Sequence, residues 1–230
     1  FMIVISLFMV GFMLAFVVPQ ITGIFEGMGQ ELPASTRFVI ALGNFFNNNY
    51  MIIFTLFLLL FAAHSLLMHY TPPYKYAVHR LVLRVPLFGE VALKSELARF
   101  AYVGSLLVRS GVPFVQTINL AANILNNSVL KAVFIEASEK VVEGKRLSVA
   151  LNESSYKLDQ SFLQAIAVGE ETSQIEPVLT NVSELYFEDN RDKISLLLSL
   201  LEPILMLFVG GTIGFIVSAM LLPIFSMSIQ

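Results

Sequence analysis

The chain has 230 residues, of which 56% are hydrophobic and only 13% charged, and its mean hydropathy is +0.76. Soluble domains carry about 25% charged residues, so this composition describes a membrane protein with room for one water-exposed domain beside its spans. A net charge of −3 argues against a nucleic-acid partner, and the absence of cysteine excludes disulfides, thiol catalysis and cysteine-held metals.

Residues 1–18 carry no charge and read as a first transmembrane span. They lack the basic start and the small-residue cleavage site of a signal peptide. Because the apolar run begins abruptly at Phe1, the expectation is a chain that starts inside a span, with sequence missing upstream. Residues 19–49 are expected to leave the membrane through Pro19. They would form a loop rich in turn formers over Gly27–Arg37, then an interfacial helix over Phe38–Asn49.

Residues 50–70 are the second expected span, flanked by Tyr50 and Tyr70, which suit the membrane–water boundary. His64 near its end is either a structural side chain or a ligand. Thr71-Pro72-Pro73 breaks that helix. Residues 71–89 then read as a basic juxtamembrane linker, amphipathic from Tyr74 to Arg84, whose Lys75, Arg80 and Arg84 would meet lipid headgroups. Pro86 and Gly89 mark a turn.

Residues 90–193 predict a bundle of about six helices, because apolar residues recur every three or four positions and no useful β alternation appears. The first carries Leu93, Leu97, Phe100, Gly104 and Leu107, with a Glu90–Lys94 pair on its surface; Gly111 stops it and Pro113 opens the next, over Val115–Leu125. Asn127 caps a third, with Leu130, Phe134, Ala137 and Val141 inward, and Gly144 ends it. Leu147–Leu151 is a short fourth turn. Asp159 caps a fifth, bearing Phe162, Leu163, Ile166 and Ala167. Ser173 and Glu176 form a capping box for a sixth, whose face is Ile175, Val178, Leu179, Val182, Leu185 and Tyr186.

Residues 194–225 form the third expected span, with 226–230 as a short tail. Between Ile194 and Gln230 the only formal charge is Glu202, followed at once by Pro203. Glu202 either couples the bundle to the spans or is a solvated carboxylate in the first turn of a membrane helix. Gly210, Gly211 and Gly214 are either an interface for close helix approach or a tolerated cluster. Glu170 and Glu171 are a partner-binding edge or plain surface charge. All of the 14 Lys and Arg residues except Arg37 lie between Lys75 and Lys193. The positive-inside rule therefore places 75–193 in the cytoplasm and 19–49 on the far side.

Catalytic patterns are missing. Gly144-Lys145 is not a phosphate loop, because Glu139 stands where its first glycine belongs. The histidines, His64, His69 and His79, make no metal motif, and no nucleophile elbow occurs. The reading is of a protein that is not an enzyme and holds no metal or cofactor.

Matching stretches run along nearly the whole chain. They include Glu31-Leu32-Pro33 with Thr36-Arg37, Pro86-Leu87-Phe88-Gly89, Ala98-Arg99-Phe100, Leu106-Leu107 and Ser110-Gly111-Val112-Pro113. Further on come Gly144 with Leu147-Ser148 and Ala150-Leu151, Gly169-Glu170, Leu201-Glu202-Pro203-Ile204 and Leu222-Pro223-Ile224-Phe225. In this order and spacing the chain resembles the type II secretion F and type IV pilus platform family of bacterial inner-membrane proteins. One departure is Ser173, where the family commonly has glycine; since serine caps helices well, that turn is expected not to need a glycine backbone.

The family has two similar halves, and Phe16-Val17-Val18-Pro19 resembles Met220-Leu221-Leu222-Pro223. Residues 1–18 would then be the remnant of a first half. The resemblance implies an all-α membrane protein with three transmembrane helices and one cytoplasmic six-helix bundle, at the base of a pilus or pseudopilus machine. Its implied partners are a cytoplasmic hexameric ATPase, pilins or pseudopilins, other inner-membrane assembly components, lipids and further copies of itself. Arg99 joins Glu202, Pro203, Gly210, Gly211, Gly214, Glu170 and Glu171 as a candidate for coupling or interface. The alternative reading is a subunit of an oligomeric transporter or channel.

Overall fold

A computed structural model describes residues 34–227, together with Met9 and Gly11. The expectations for residues 1–18 and for most of the outer loop lie outside the described residues. The described residues are helical, with no strand among them. In chain order the helices are α1 Ala34–Tyr70, α2 Pro72–Arg84, α3 Phe88–Arg109, α4 Phe114–Asn123, α5 Ser128–Val142, α6 Leu147–Asn152, α7 Gln160–Thr172 and α8 Ile175–Met227. The chain divides into two compact units, one of residues 1–63 with 197–230, the other of His64–Leu196.

The first unit holds the greater part of α1 and the C-terminal part of α8. Among the described residues, two helices are long and apolar enough to cross a membrane: Asn48–Tyr70 within α1, and α8 over Ile175–Phe215. Their side chains are exposed, as Phe54, Phe57, Phe61, Leu207 and Phe208 show. So continuous an apolar surface calls for lipid or a partner rather than water. The separate interfacial helix expected over Phe38–Asn49 is not seen, because α1 is one helix of 37 residues that begins within the expected loop. Asparagine costs a helix only about 0.7 kcal/mol, and Asn49 Nδ2 donates to the Phe45 carbonyl at 2.9 Å, inside the helix.

The second unit is built around a single apolar core. Phe100, Phe134 and Phe162, from α3, α5 and α7, meet at its centre, with ring centroids 4.2 Å apart for the first two and 6.1 to 6.4 Å for the other pairs. Tyr186 of α8 stacks on Phe162 at 6.3 Å. Around them Leu97, Ile118, Leu130, Leu147, Leu151, Ile166 and Leu179 are fully buried. The spacing of apolar residues thus picks the inward faces correctly for α3, α5 and α7. Leu185 is an exception: it is 60% exposed, because Val182, Tyr186 and the buried Asn190 define the inward line of α8 and Leu185 falls beside it.

Helix ends follow local chemistry. Asn127 Oδ1 accepts from the Val129 and Leu130 amides at 3.0 and 3.3 Å, and Asp159 caps α7 through the Ser161 amide. Gly111 and Gly144, at φ 83° and 95°, end α3 and α5 in left-handed turns. The next amides, Val112 and Lys145, reach back to the Leu107 and Lys140 carbonyls, each at 3.0 Å. The capping box expected from Ser173 and Glu176 does not form. Ser173 is itself left-handed, at φ 57° and ψ 27°, and closes α7 while the Gln174 amide bonds Gly169. An N-cap needs extended backbone, so Ser173 cannot serve α8, and the turn does take the conformation that glycine favours.

Candidate functional site

Three motif residues of the second unit, Gly144, Gly169 and Glu170, line a hollow of ≈ 350 Å³ together with Phe114, Val141, Lys145, Arg146, Ser173 and Ile175. Glu170 is its centre. One carboxylate oxygen accepts from the Leu147 amide at 2.5 Å. The other accepts from the Ser148 amide at 3.1 Å and the Ser148 hydroxyl at 2.6 Å. These are the free amides at the start of α6, and a charged acceptor binds them more strongly than a neutral one. Glu170 therefore caps α6 from α7. Gly169 lets α7 approach α8 here, since a Cβ on it would lie 2.9 Å from Ile175 Cδ1. Glu171 points outward and pairs with Arg146 at 3.2 Å, and Lys145 pairs with Glu153 at 2.9 Å. Lys145 and Arg146, the two cations of the hollow, thus each have an acidic partner.

A second cluster ties α3 to α8. Glu90 and Lys94 lie one turn apart on α3, and Asp189 and Lys193 one turn apart on α8. Lys94 bonds Asp189 and Lys193 bonds Glu90 across the gap, while the pairs within each helix stand at 3.2 and 3.5 Å. Burial opposes the charge on Lys94, but its bonds to Asp189 and Glu90 outweigh that and raise its pKa above the ordinary lysine value. The bond from Lys193, then that from Lys94, holds Glu90 below the usual carboxylate range, and Lys94 does the same to Asp189. Lys94 also lies over the Tyr186 ring at 5.8 Å. The Tyr186 hydroxyl donates to Asp159 Oδ2 at 2.9 Å, so α8 steadies the cap of α7. Of this clamp the sequence shows two acid–base pairs at i,i+4 spacing, but not that they face each other.

His79 of α2 supplies a third link. Its Nδ1 accepts from the Ser128 amide at 2.9 Å and lies 2.9 Å from the Ser128 hydroxyl, at the start of α5. Burial, aided by Lys75, lowers its pKa against the opposing pull of Glu96. Sequence reasoning notes His79 only as one of three scattered histidines. The 49-residue separation hides its partner.

The remaining candidates are not drawn into these clusters. Arg99 is half-buried on α3 and makes no ion pair among the described residues. Glu202, Pro203, Gly210, Gly211 and Gly214 lie along α8 in the first unit, all exposed. A Cβ on any of the three glycines would meet nothing within 4 Å. Glu202 and Pro203 are not in the first turn of a helix, as one reading expects, because α8 begins at Ile175. His64 is engaged structurally, its Nδ1 2.9 Å from the Tyr74 hydroxyl. No group of three or more metal-binding side chains gathers among the described residues.

Among the described residues, these features define an all-helical architecture with long apolar helices and a compact unit whose helix ends are tied to one another. The chain belongs to the family of type II secretion system (T2SS) protein F, whose model matches residues 100–223. The chain is 31% identical to the type IV pilus assembly protein PilC of Thermus thermophilus, over 97% of its own length and 55% of the relative's. It is likewise 31% identical to the type II secretion system protein F of Pseudomonas aeruginosa, over 99% and 56%. To the type IV pilus assembly protein TapC of Aeromonas hydrophila it is 30% identical, over 98% and 54%. The chain spans about half the length of the curated relatives it matches. The family is one of secretion and pilus assembly components, not of enzymes.

Proposed function

We propose that the chain is part of an inner-membrane platform of a type IV pilus or type II secretion machine. Its role is mechanical: movement produced by a cytoplasmic assembly ATPase enters the helical domain and leaves through α8 to pilin or pseudopilin subunits in the membrane. On this reading the domain of residues 90–193 is a cytoplasmic six-helix bundle and the chain contributes three spans. Copies of it assemble together with other inner-membrane components. The concentration of Lys and Arg in 75–193 supports that orientation.

The observation that carries the proposal, given the family, is that α8 is one helix from Ile175 to Met227. It contributes the core residues Leu179, Val182 and Tyr186, then the clamp residues Asp189 and Lys193, and continues into an apolar stretch. A continuous helix passes on displacement that a flexible joint would absorb. Inserting a short Gly-Ser segment after Asp192 should abolish pilus assembly or secretion while leaving protein level and membrane insertion unchanged. Full activity of that variant would refute the route.

A further inference from the structure

Helix α2 and the corner that follows it have a surface that the chain does not cover. Leu83 packs into the core and His79 bonds to α5, so one side of α2 is fixed inward. At 100° per residue, Ala77 and Leu81 fall on the opposite side. Leu81 is 63% exposed, and exposed apolar side chains continue beyond the helix at Val85, Leu87 and Phe88. On a helical wheel Lys75 flanks this side on one edge and Arg80 and Arg84 on the other. These three cations form no ion pair among the described residues, and no Asp or Glu occurs anywhere from Leu32 to Gly89. An apolar stripe edged by uncompensated cations is the pattern of a helix lying in the surface of an anionic bilayer. Only Thr71 separates α2 from the apolar segment Asn48–Tyr70.

The corner adds an independent sign. Leu87 has φ 64° and ψ −54°, and the Phe88 amide bonds the Pro86 carbonyl at 2.8 Å, a γ-turn in its strained form. A leucine at positive φ is costly where glycine would not be. Backbone hydrogen bonds hold the corner, but the fold covers neither side chain: Leu87 is 56% and Phe88 63% exposed. A large apolar side chain kept in a strained and exposed place gains most from a medium outside the chain that covers it.

We propose that α2 and the Leu87-Phe88 corner form an interfacial anchor. Lys75, Arg80 and Arg84 hold anionic lipid headgroups while Leu81, Leu87 and Phe88 enter the edge of the acyl layer, pinning the helical domain to the membrane face. This rests on the reading above that α1 lies in the bilayer.

The cysteine-free chain permits a direct test. Environment-sensitive labels are placed singly on Leu81→Cys, on Val142→Cys of α5 (72% exposed) and on Phe57→Cys of α1. The full chain is reconstituted in phosphatidylcholine vesicles, with or without phosphatidylglycerol, containing brominated lipid as quencher. The Phe57 label should be quenched in both, the Leu81 label several-fold more with phosphatidylglycerol, and the Val142 label in neither. Arg80→Gln and Arg84→Gln should each lower the docked-to-undocked ratio about fivefold, the equivalent of about 1 kcal/mol. Leu87→Gly should weaken docking while raising the melting temperature of the domain, opposite signs that a purely structural leucine would not give.

Quenching at Leu81 no greater than at Val142 overturns the anchor alone if Phe57 is quenched, and the membrane reading with it if Phe57 is not. Indifference to phosphatidylglycerol and to both arginine substitutions also overturns it. So does protection of Leu81 that rises with protein-to-lipid ratio, which would assign the surface to a second copy.

Discussion

Ser173 shows how one residue can be read correctly for chemistry and wrongly for geometry. Serine is a good helix cap, and Glu176 three positions on completes the pattern of a capping box. Yet the Gln174 amide turns back to Gly169 to finish α7, which forces Ser173 into the left-handed region. A side chain there costs about 1–2 kcal/mol relative to the right-handed form, a penalty glycine escapes. Ser173→Gly is therefore expected to stabilise the domain by about 1 kcal/mol, measured by denaturant unfolding; a loss of stability would mean that the hydroxyl has a role the backbone does not reveal. Glu170 was legible as a motif residue only. Its partners at 147 and 148 lie 23 and 22 positions away, a distance over which local pattern carries no information.

Among the elements, those whose ends are set by neighbours in sequence were legible. Asn127, Asp159, Gly111 and Gly144 all act where the spacing places them. The sequence shows α2 as basic and amphipathic but hides its attachment, which depends on a histidine far from its partner. That attachment should be pH-sensitive. His79 accepts a hydrogen bond through Nδ1, so only the neutral ring serves, and folding lowers its pKa below 6.5. The unfolded chain then takes up a proton more readily than the folded one, and acid favours unfolding. The contribution is whole above about pH 6.5 and fades as pH falls from there towards the lower, folded value. Lys75 on the same helix and Glu96 on α3 are the charges that face the ring, with opposite effects. Replacing His79 by Asn retains an acceptor that does not titrate. The melting temperature of His79→Asn should fall less between neutral pH and about pH 5 than that of the parent chain; equal falls would remove His79 from the pH response.

At the scale of the whole molecule, composition carried the class, and charge distribution is the ground for the proposed orientation. The Lys and Arg residues past Lys75 argue for a cytoplasmic domain. Val142→Cys should accordingly react with a membrane-impermeant thiol reagent only after the inner membrane is opened. Reaction in intact spheroplasts would reverse the topology. What composition could not show is how the domain holds together. His79 on α2 closes the start of α5, Glu170 on α7 closes the start of α6, and Tyr186 on α8 steadies the cap of α7. The starts of α5, α6 and α7 thus each lean on a side chain from another helix. Detaching one helix therefore frays its neighbour, and partial opening becomes costly compared with melting everything at once. The domain should lose its amide protection as one cooperative block, as the proposed mechanical role requires of a part that must not yield in pieces.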